Sequence, residues 1–579
     1  MTRHLPFLAL TTSLAMLAAC SSDTTGPNPD LSCTSLQPTV LSPGQFAISD
    51  PGVTPCVALP AAGAAGAEYL YLAIATAGQV TDQGIAGPYA LTGNAAAATA
   101  SSGPAPDVIS TALFPAFRRP ATAEQFHAML RLREQALSTD PGTRLFRPDV
   151  TRAPSFAAAP VVGDVEDFNV CATDQCTSFV TVTATARQVG GQVAIFTDNS
   201  EPVGGGYSQT DIDQVAQLFD DFLYPIDTTN FGPVTDIDQN SVVKVLLTPQ
   251  INKLSGNCNV TNSVILGYFL SSDLEPSVPG SNKGEIFYGI VPDPNNRNCG
   301  ISAAFARANL APTFIHEFQH MISYGQHALR RTGAAEVTWL NEGLSHYAEE
   351  LGGRLIPDAS NPTRGSTETY IQFALSDFQN AFEYLNFPEQ VFLIDPASSS
   401  GLLPERGANW LFVRWAAEAF GGATPSGFVV KATDFTRKLE ETNLTGAPNV
   451  VQQSGVPFDR LVSIWQMANY LDDLQGFAPA DPLLQYQNLD LRDVFAQLNA
   501  QDSQNGTATP QIFTKPYPLT PDSTSGDYAR TGTLKQGSSH DVLIKQGANA
   551  GPVQFRLTGT ASTAISAALI PRIGLVRIR

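Results

Sequence analysis

The chain has 579 residues, which exceeds what one hydrophobic core supports and predicts three or four domains. Hydrophobic residues make up 43% of the chain, enough to build packed cores. Acidic residues outnumber basic residues by 53 to 33, giving a net charge of -20. This charge argues against a nucleic-acid partner, because phosphates require basic surfaces. It is compatible with a soluble, exported protein.

The N-terminus predicts export. A basic start precedes the apolar run Leu5 to Ala19, which suits the hydrophobic part of a signal peptide and is too short to cross a bilayer. The run ends in Leu-Ala-Ala-Cys, which resembles the lipobox of bacterial lipoproteins. The resemblance implies cleavage after residue 19 and attachment to the cell envelope, at the outer membrane or cell surface, through lipidated Cys20. The alternative is an ordinary signal peptide with a chance cysteine.

Six further cysteines are an even number, as expected for disulfides in an oxidising compartment. We expect nearest neighbours to pair: Cys33 with Cys56, Cys171 with Cys176, and Cys258 with Cys299. A cysteine-bound zinc site is the competing interpretation, and the absence of any C-x-x-C pair from the sequence makes it the weaker one.

The pattern of the chain predicts several regions after a flexible tether at 20–32. Residues 33–185 predict a β-rich accessory domain interrupted by a helix from Thr122 to Ser138. Residues 186–355 combine strands and helices, and residues 356–480 are mainly helical. A linker at 481–520 and a small β domain at 521–579 complete the chain. The fold class is therefore multidomain α+β.

The segment His316-Glu317-Phe318-Gln319-His320 has the pattern H-E-x-x-H. On a helix, residues four apart lie on the same face, about 6 Å apart along the axis, so two imidazoles can bind one metal ion. The flanking apolar residues recur with helical spacing. Four of the seven histidines lie between residues 316 and 346, which makes the motif more specific than it would be alone.

A zinc site requires a third protein ligand. A metzincin pattern would place glycine and histidine at positions 323 and 326, but Ser323 and Gln326 occupy them. The alternative source is a second helix predicted from Trp339 to Leu351. Its apolar residues form one stripe, and its polar residues share the opposite side. These polar residues are Glu342, Ser345, His346 and Glu349.

The segments HEFQHMI and WLNEGLSHYAEE resemble the gluzincin arrangement, and most closely the hyicolysin-type neutral metallopeptidases, over residues 190–475. The resemblance implies a zincin-like catalytic core at 186–355, with His316, His320 and Glu342 as ligands of one Zn²⁺ ion. It makes Glu317 the catalytic base. The chemistry of the side chains agrees, because neutral imidazoles and a carboxylate suit zinc.

Several neighbouring residues have two interpretations. His346 either stabilises the reaction's oxyanion or orients Glu342, or it is a solvated surface histidine. Glu349 either holds a ligand histidine or lies on an exposed helix face. We expect His327 to lie beyond the helix end without a role.

The sequence differs from the related aminopeptidases in two segments, the one that binds the substrate's free amine and the one that supplies the electrophile. The chain has no G-x-M-E-N stretch to bind a free amine, which disfavours an exopeptidase. The aminopeptidases place a tyrosine before Glu-Lys-Gly, whereas Pro404 precedes Glu-Arg-Gly here. The candidate electrophiles are His346, Tyr347, Tyr370 and Tyr384. Residues 284–291 either form the edge strand that aligns a peptide or a plain structural strand.

We expect a lipid-anchored, zinc-dependent endopeptidase that is monomeric and acts on protein or peptide substrates. Glu317 would take the proton of the attacking water, and His346 is the further catalytic candidate. A catalytically retired lipoprotein with a binding or structural role is the first alternative. A zinc aminopeptidase, or another zinc hydrolase, is the second.

Overall fold

The computed structural model describes residues 33, 36–94, 122–147, 150, 158–202, 204–256, 264–295, 299–357, 367–397, 401–421, 425–426, 429–430, 433–504 and 511–579. The predicted signal peptide and Cys20 lie outside these residues. Within them the chain folds as a multidomain α+β protein. No helix of this part of the chain combines the length and apolarity that crossing a membrane requires.

The strands in chain order are β1 (Phe46–Ser49), β2 (Cys56–Leu59), β3 (Ala67–Ala75), β4 (Ala86–Gly93), β5 (Val165–Cys171), β6 (Phe179–Val189), β7 (Val193–Asp198), β8 (Val243–Leu247), β9 (Gly267–Phe269), β10 (Ile286–Gly289), β11 (Pro425–Ser426), β12 (Val429–Val430), β13 (Asp522–Thr524), β14 (Tyr528–Lys535), β15 (Ser539–Gln546), β16 (Val553–Thr558) and β17 (Pro571–Arg577).

The α-helices are α1 (Thr122–Thr139), α2 (Pro141–Arg144), α3 (Gln209–Leu218), α4 (Tyr224–Asn230), α5 (Pro249–Leu254), α6 (Ala303–Tyr324), α7 (Thr338–Leu355), α8 (Thr367–Asn386), α9 (Leu403–Gly421), α10 (Thr433–Glu440), α11 (Gly446–Ser454), α12 (Phe458–Leu471) and α13 (Leu491–Gln504). A π-helical segment, Gly325–Arg330, extends α6.

A six-stranded mixed sheet has the order β5-β6-β7-β8-β10-β9. β7, β8 and β10 are parallel, and β9 pairs antiparallel with β10. In the described part of the chain, β9 is therefore an edge strand and β10 is internal. This corrects one interpretation of residues 284–291, which form an internal strand because β9 covers their free side.

Strands from both ends of the chain form a β-sandwich. One sheet has the order β1-β17-β3-β15-β13 and the other the order β14-β4-β16-β2. β3 is buried on both faces, as a strand between two apolar layers must be. Tyr69, Tyr71 and Ala73 point into the sandwich, whereas Leu70 and Leu72 join the core shared with the helices.

This sandwich differs from the two separate β domains expected from the sequence. Hydrophobic alternation predicts that a segment forms a strand, but it does not select the strand's partner among segments more than 400 residues away. β6 also crosses the expected boundary at 185, so residues 165–189 belong to the mixed sheet. The expected linker at 481–520 contains α13.

Two of the expected disulfides are confirmed. Cys33 is bonded to Cys56, and Cys171 is bonded to Cys176. Cys299 is also disulfide-bonded. Its expected partner, Cys258, lies outside the described residues.

Truncating the core side of β3 should destabilise the protein. Leu72→Ala removes a fully buried side chain, and we expect the free energy of unfolding to fall by about 2–5 kcal/mol. Leu132→Ala is the control, because Leu132 is 43% exposed and its truncation should lower the free energy of unfolding by less than about 0.5 kcal/mol. Denaturant unfolding of both variants measures the difference. Equal losses would contradict the assignment of Leu72 to the core.

Candidate metal centre

Two neighbouring helices, α6 and α7, supply the H-E-x-x-H residues and Glu342. Ser302 precedes α6 and caps it, because its hydroxyl accepts a hydrogen bond from the Phe305 amide. Both helices are buried on nearly all sides around the motif. Polar side chains that face each other in such surroundings require partners, because an unpaired buried polar group is costly.

The structure brings His316, His320 and Glu342 together. The Nε2 atoms of the two histidines are 3.1 Å apart. The nearest Glu342 oxygens lie 3.7 Å from Nε2 of His316 and 3.8 Å from Nε2 of His320. All three side chains are buried, and Glu342 Oε2 has no hydrogen-bond partner. The group could hold a metal ion.

The outward nitrogens of both histidines are already occupied. His316 Nδ1 lies 2.7 Å from Glu349 Oε1, and His320 Nδ1 lies 2.9 Å from Asn341 Oδ1. Because these oxygens accept hydrogen bonds, each Nδ1 must carry the proton. The two Nε2 atoms then face each other at 3.1 Å, an arrangement that repels unless a metal ion or a proton lies between them.

The donor set fits zinc. In a tetrahedral zinc site with bonds of about 2.0–2.1 Å, the ligand atoms lie about 3.3 Å apart. The two Nε2 atoms are 3.1 Å apart, slightly closer than this, and the shortest distances to Glu342 are slightly longer, 3.7 Å from His316 to Oε2 and 3.8 Å from His320 to Oε1. Two imidazoles and one carboxylate form a set of three protein ligands that leaves a fourth position for water or substrate.

Glu317 lies beside this group, in surroundings that fix its orientation. The Phe269 amide of edge strand β9 donates to Glu317 Oε2 at 3.0 Å. His127 Nδ1 is 3.4 Å from Oε1, and Arg131 Nη2 is 3.9 Å from Oε2. Burial raises the pKa of Glu317, while His316 and Arg131 oppose this rise. A carboxylate with a raised pKa is suited to accept a proton and return it.

Arg406 on α9 sets the charge of Glu342. Its Nη1 atom is 3.5 Å from Glu342 Oε2, and its Nε atom is buried without a hydrogen-bond partner. Burial alone would raise the pKa of Glu342, but Arg406, followed by His320 and His316, lowers it well below its usual value. The carboxylate is therefore ionised, as a metal ligand must be.

His346 is buried at the edge of the group, so its interpretation as a surface histidine is wrong. Its ring centre is 4.8 Å from that of His316, and its Nε2 is 4.0 Å from Glu342 Oε2. Its Nδ1 lies 2.7 Å from Asp377 and 2.9 Å from Glu349. Burial opposes protonation, but Asp377 and Glu349 together raise the pKa of His346 to about 10.

Other expectations for single residues also change. Glu349 is only 7% exposed, so the exposed-face interpretation is wrong and the residue contacts His316. His327 lies within the π-helical extension of α6 and is fully buried, 3.3 Å from Glu440. It is therefore not beyond the helix end.

The tyrosine candidates differ in their surroundings. Tyr384 donates its hydroxyl to Gln466 at 3.2 Å, whereas Tyr370 packs edge-on against Phe378 and its buried hydroxyl has no hydrogen-bond partner among the described residues. Burial, followed by the charge of Glu350, raises the pKa of Tyr347. Among the four candidate electrophiles, the described contacts place His346 beside the candidate metal ligands.

α1 and α9 contribute residues to the centre that the two motifs do not predict. His127, Arg131 and Glu134 are spaced four and three residues apart, which places them on one face of α1. This polar face is the signal that the sequence offers, although α1 lies in the region expected to form the accessory domain. Arg406 lies in the Glu-Arg-Gly run that differs from the aminopeptidase pattern.

Comparison with protein-family models and with curated proteins found no match to this chain. The interpretation of the site therefore depends on its own geometry.

The raised pKa of His346 predicts a pH-dependent stability of the metal-free protein. Protonation is favoured in the folded state, so its contribution is complete below about pH 6.5 and is lost as the pH rises towards about 10. With chelator present, we expect His346→Gln to lower the thermal midpoint by several degrees at pH 6 and by much less at pH 10.5. A difference that stays constant with pH would contradict this role.

Proposed function

We propose that the protein is a zinc-dependent endopeptidase. The main support is the position of the Nε2 atoms of His316 and His320, which face each other beside Glu342. The Nδ1 atom of each histidine has a hydrogen-bond partner of its own. Glu317 adds a buried carboxylate next to this group that is not needed as a ligand. Three ligands, an open fourth position and an adjacent base are what hydrolysis at a zinc centre requires.

When bound, zinc would polarise the carbonyl of the scissile bond and lower the pKa of water to about 7. The remaining steps belong to side chains of this chain. Glu317 takes one proton from the attacking water and returns it to the amine that leaves when the C–N bond breaks. The hydrogen bond from the Phe269 amide holds Glu317 in place for both transfers.

His346 and Arg406 supply positive charge beside Glu342, where they would stabilise negative charge that develops on the substrate. His346 is held by Asp377 on its Nδ1 side, which leaves Nε2 directed towards Glu342. Arg406 approaches the same carboxylate from α9. Donors held in a buried site stabilise developing charge strongly, because they need not reorganise during the reaction.

β9 lies beside the proposed base, because Phe269 donates its backbone amide to Glu317. In the described part of the chain β9 is an edge strand of the mixed sheet, and all three of its residues are buried. Cleavage within a chain, rather than capture of a free terminus, is supported by the sequence, which has no G-x-M-E-N stretch to bind a free amine.

We further propose that the protein is exported and anchored through Cys20. The support is the lipobox-like segment together with disulfides in the folded part of the chain. Disulfides persist in oxidising compartments and are rare in reducing ones.

The test compares the wild type with Glu317→Gln. We expect both proteins to bind one equivalent of zinc, because Glu317 is not a ligand. Cleavage of an unfolded protein substrate should fall by about 10²–10⁴-fold in the variant, the contribution typical of a positioned base. Glu275→Gln is the control, since Glu275 is equally buried but pairs with Arg147 and Tyr324.

The other functions give different results. Release of amino acids from aminoacyl amides without cleavage of internal bonds would indicate an aminopeptidase. Stoichiometric zinc without hydrolysis of any peptide would favour a retired scaffold with a binding role. Equal activity of the wild type and Glu317→Gln would contradict the assignment of the base.

A further inference from the structure

His320 Nδ1 faces two oxygen atoms. Asn341 Oδ1 lies at 2.9 Å and the Ser345 hydroxyl at 3.0 Å. Both groups could in principle donate or accept a hydrogen bond, since an amide has two distinct ends and a hydroxyl can rotate. The tautomer of His320 therefore depends on what fixes the orientation of Asn341 and Ser345.

A buried carboxylate on α1 fixes the amide of Asn341. Asn341 Nδ2 donates to Glu134 Oε2 at 3.4 Å, and Arg131 Nη2 lies 3.0 Å from Glu134 Oε1. Burial raises the pKa of Glu134 to about 8, and the neighbouring Arg131 opposes this rise. The ionised carboxylate, which is the main form above that pH, only accepts hydrogen bonds, so it attracts the NH₂ end of the amide and turns the oxygen towards His320. Glu134 is only 2% exposed, and Arg131 only 1%.

A second carboxylate, that of Glu440, fixes the orientation of the Ser345 hydroxyl so that its oxygen also faces His320 as an acceptor. Gln319 Nε2 donates to Glu440 Oε1 at 2.6 Å, which leaves Gln319 Oε1 to accept the hydroxyl hydrogen of Ser345. The Ser345 oxygen can then accept a proton from His320 Nδ1. His327 lies 3.3 Å from Glu440 Oε2 and provides a buried partner for this carboxylate.

We propose that Glu134 and Glu440 are positioning residues that fix His320 as the tautomer protonated on Nδ1, through Asn341 and through Gln319 and Ser345 respectively. Nε2 then presents its lone pair to the metal. The inference rests on the metal site of the proposed function, but it concerns metal binding and does not require peptide cleavage. Neither carboxylate touches the ligand it controls, and they belong to α1 and α10.

Loss of Glu134 frees the amide of Asn341 to turn, and loss of Glu440 frees the Ser345 hydroxyl to turn. An amide freed from Glu134 can turn and offer its NH₂ end to His320 Nδ1, which favours the proton on Nε2. That tautomer cannot bind a metal through Nε2. We call the two chains of hydrogen bonds, Glu134–Asn341 and Glu440–Gln319–Ser345, relays. Because both relays end at His320 Nδ1, the loss of both should weaken metal binding more than the loss of either.

The experiment uses the full chain with Glu134→Gln, Glu440→Gln and the double variant. These changes preserve shape, but glutamine presents either an acceptor or a donor, so it no longer imposes one orientation. Zinc affinity is measured by competition with a chelator, and the ligand geometry by the visible absorption spectrum after Co²⁺ substitution. Glu275→Gln is the matched control, because its carboxylate is buried without contact to either relay.

We expect each single variant to weaken zinc binding by about 10-fold and the double variant by about 100-fold, the range typical for groups behind metal ligands. The control should bind zinc as the wild type does, and only the relay variants should change the Co²⁺ spectrum. A folded double variant, or folded single variants if the double does not fold, with wild-type affinity and spectrum would overturn the proposal. A wild type that binds no zinc would refute the metal site itself, whereas zinc binding without proteolysis would refute only the peptidase.

Discussion

The arrangement of the centre depends on the repulsion between two imidazole nitrogens. The helix spacing of His316 and His320 places both rings on one face of α6, and their hydrogen bonds to Glu349 and Asn341 turn both lone pairs inwards. Such a contact at 3.1 Å is unfavourable in a buried site unless a metal ion or a proton lies between the two nitrogens. The surrounding carboxylates and arginines form a framework that holds the two rings in contact and balances the charge of the centre.

That framework draws on segments far apart in the chain. α1 lies upstream of the mixed sheet and contributes Arg131 and Glu134, while α9 contributes Arg406 and α10 contributes Glu440. β9 contributes a single backbone amide to Glu317. Because each contact is buried, a change in how these segments pack would alter the electrostatics of the centre even where no ligand is replaced.

The sequence predicted those parts of the site that local spacing determines. His316 and His320 follow from the i, i+4 geometry of a helix, and the polar side of α7 was visible in the recurrence of its residues. Glu342 was assigned as a ligand through a family resemblance, and α7 places it next to both histidines. The contacts of Glu134 and Arg406 could not be predicted, because they depend on which segments meet after folding.

The same limit applies to the fold. The hydrophobic pattern identified strands at both ends of the chain, and a buried run such as β3 is visible in the sequence alone. Pairing is a long-range property, however, and both described partners of β3, β15 and β17, come from the C-terminal part of the chain. The nearest-neighbour disulfides Cys33–Cys56 and Cys171–Cys176 were predictable because short loops bring the two cysteines together.

X-ray absorption at the zinc edge of the isolated protein tests the central claim most directly, because it reports the metal and its ligand shell without requiring a substrate. We expect one zinc per chain, with two imidazole nitrogens and oxygen ligands at about 2.0–2.1 Å. Glu342→Gln should lose the metal or change its ligand shell. Protein isolated without zinc that also fails to bind added zinc, or zinc held by sulfur ligands, would contradict the claim.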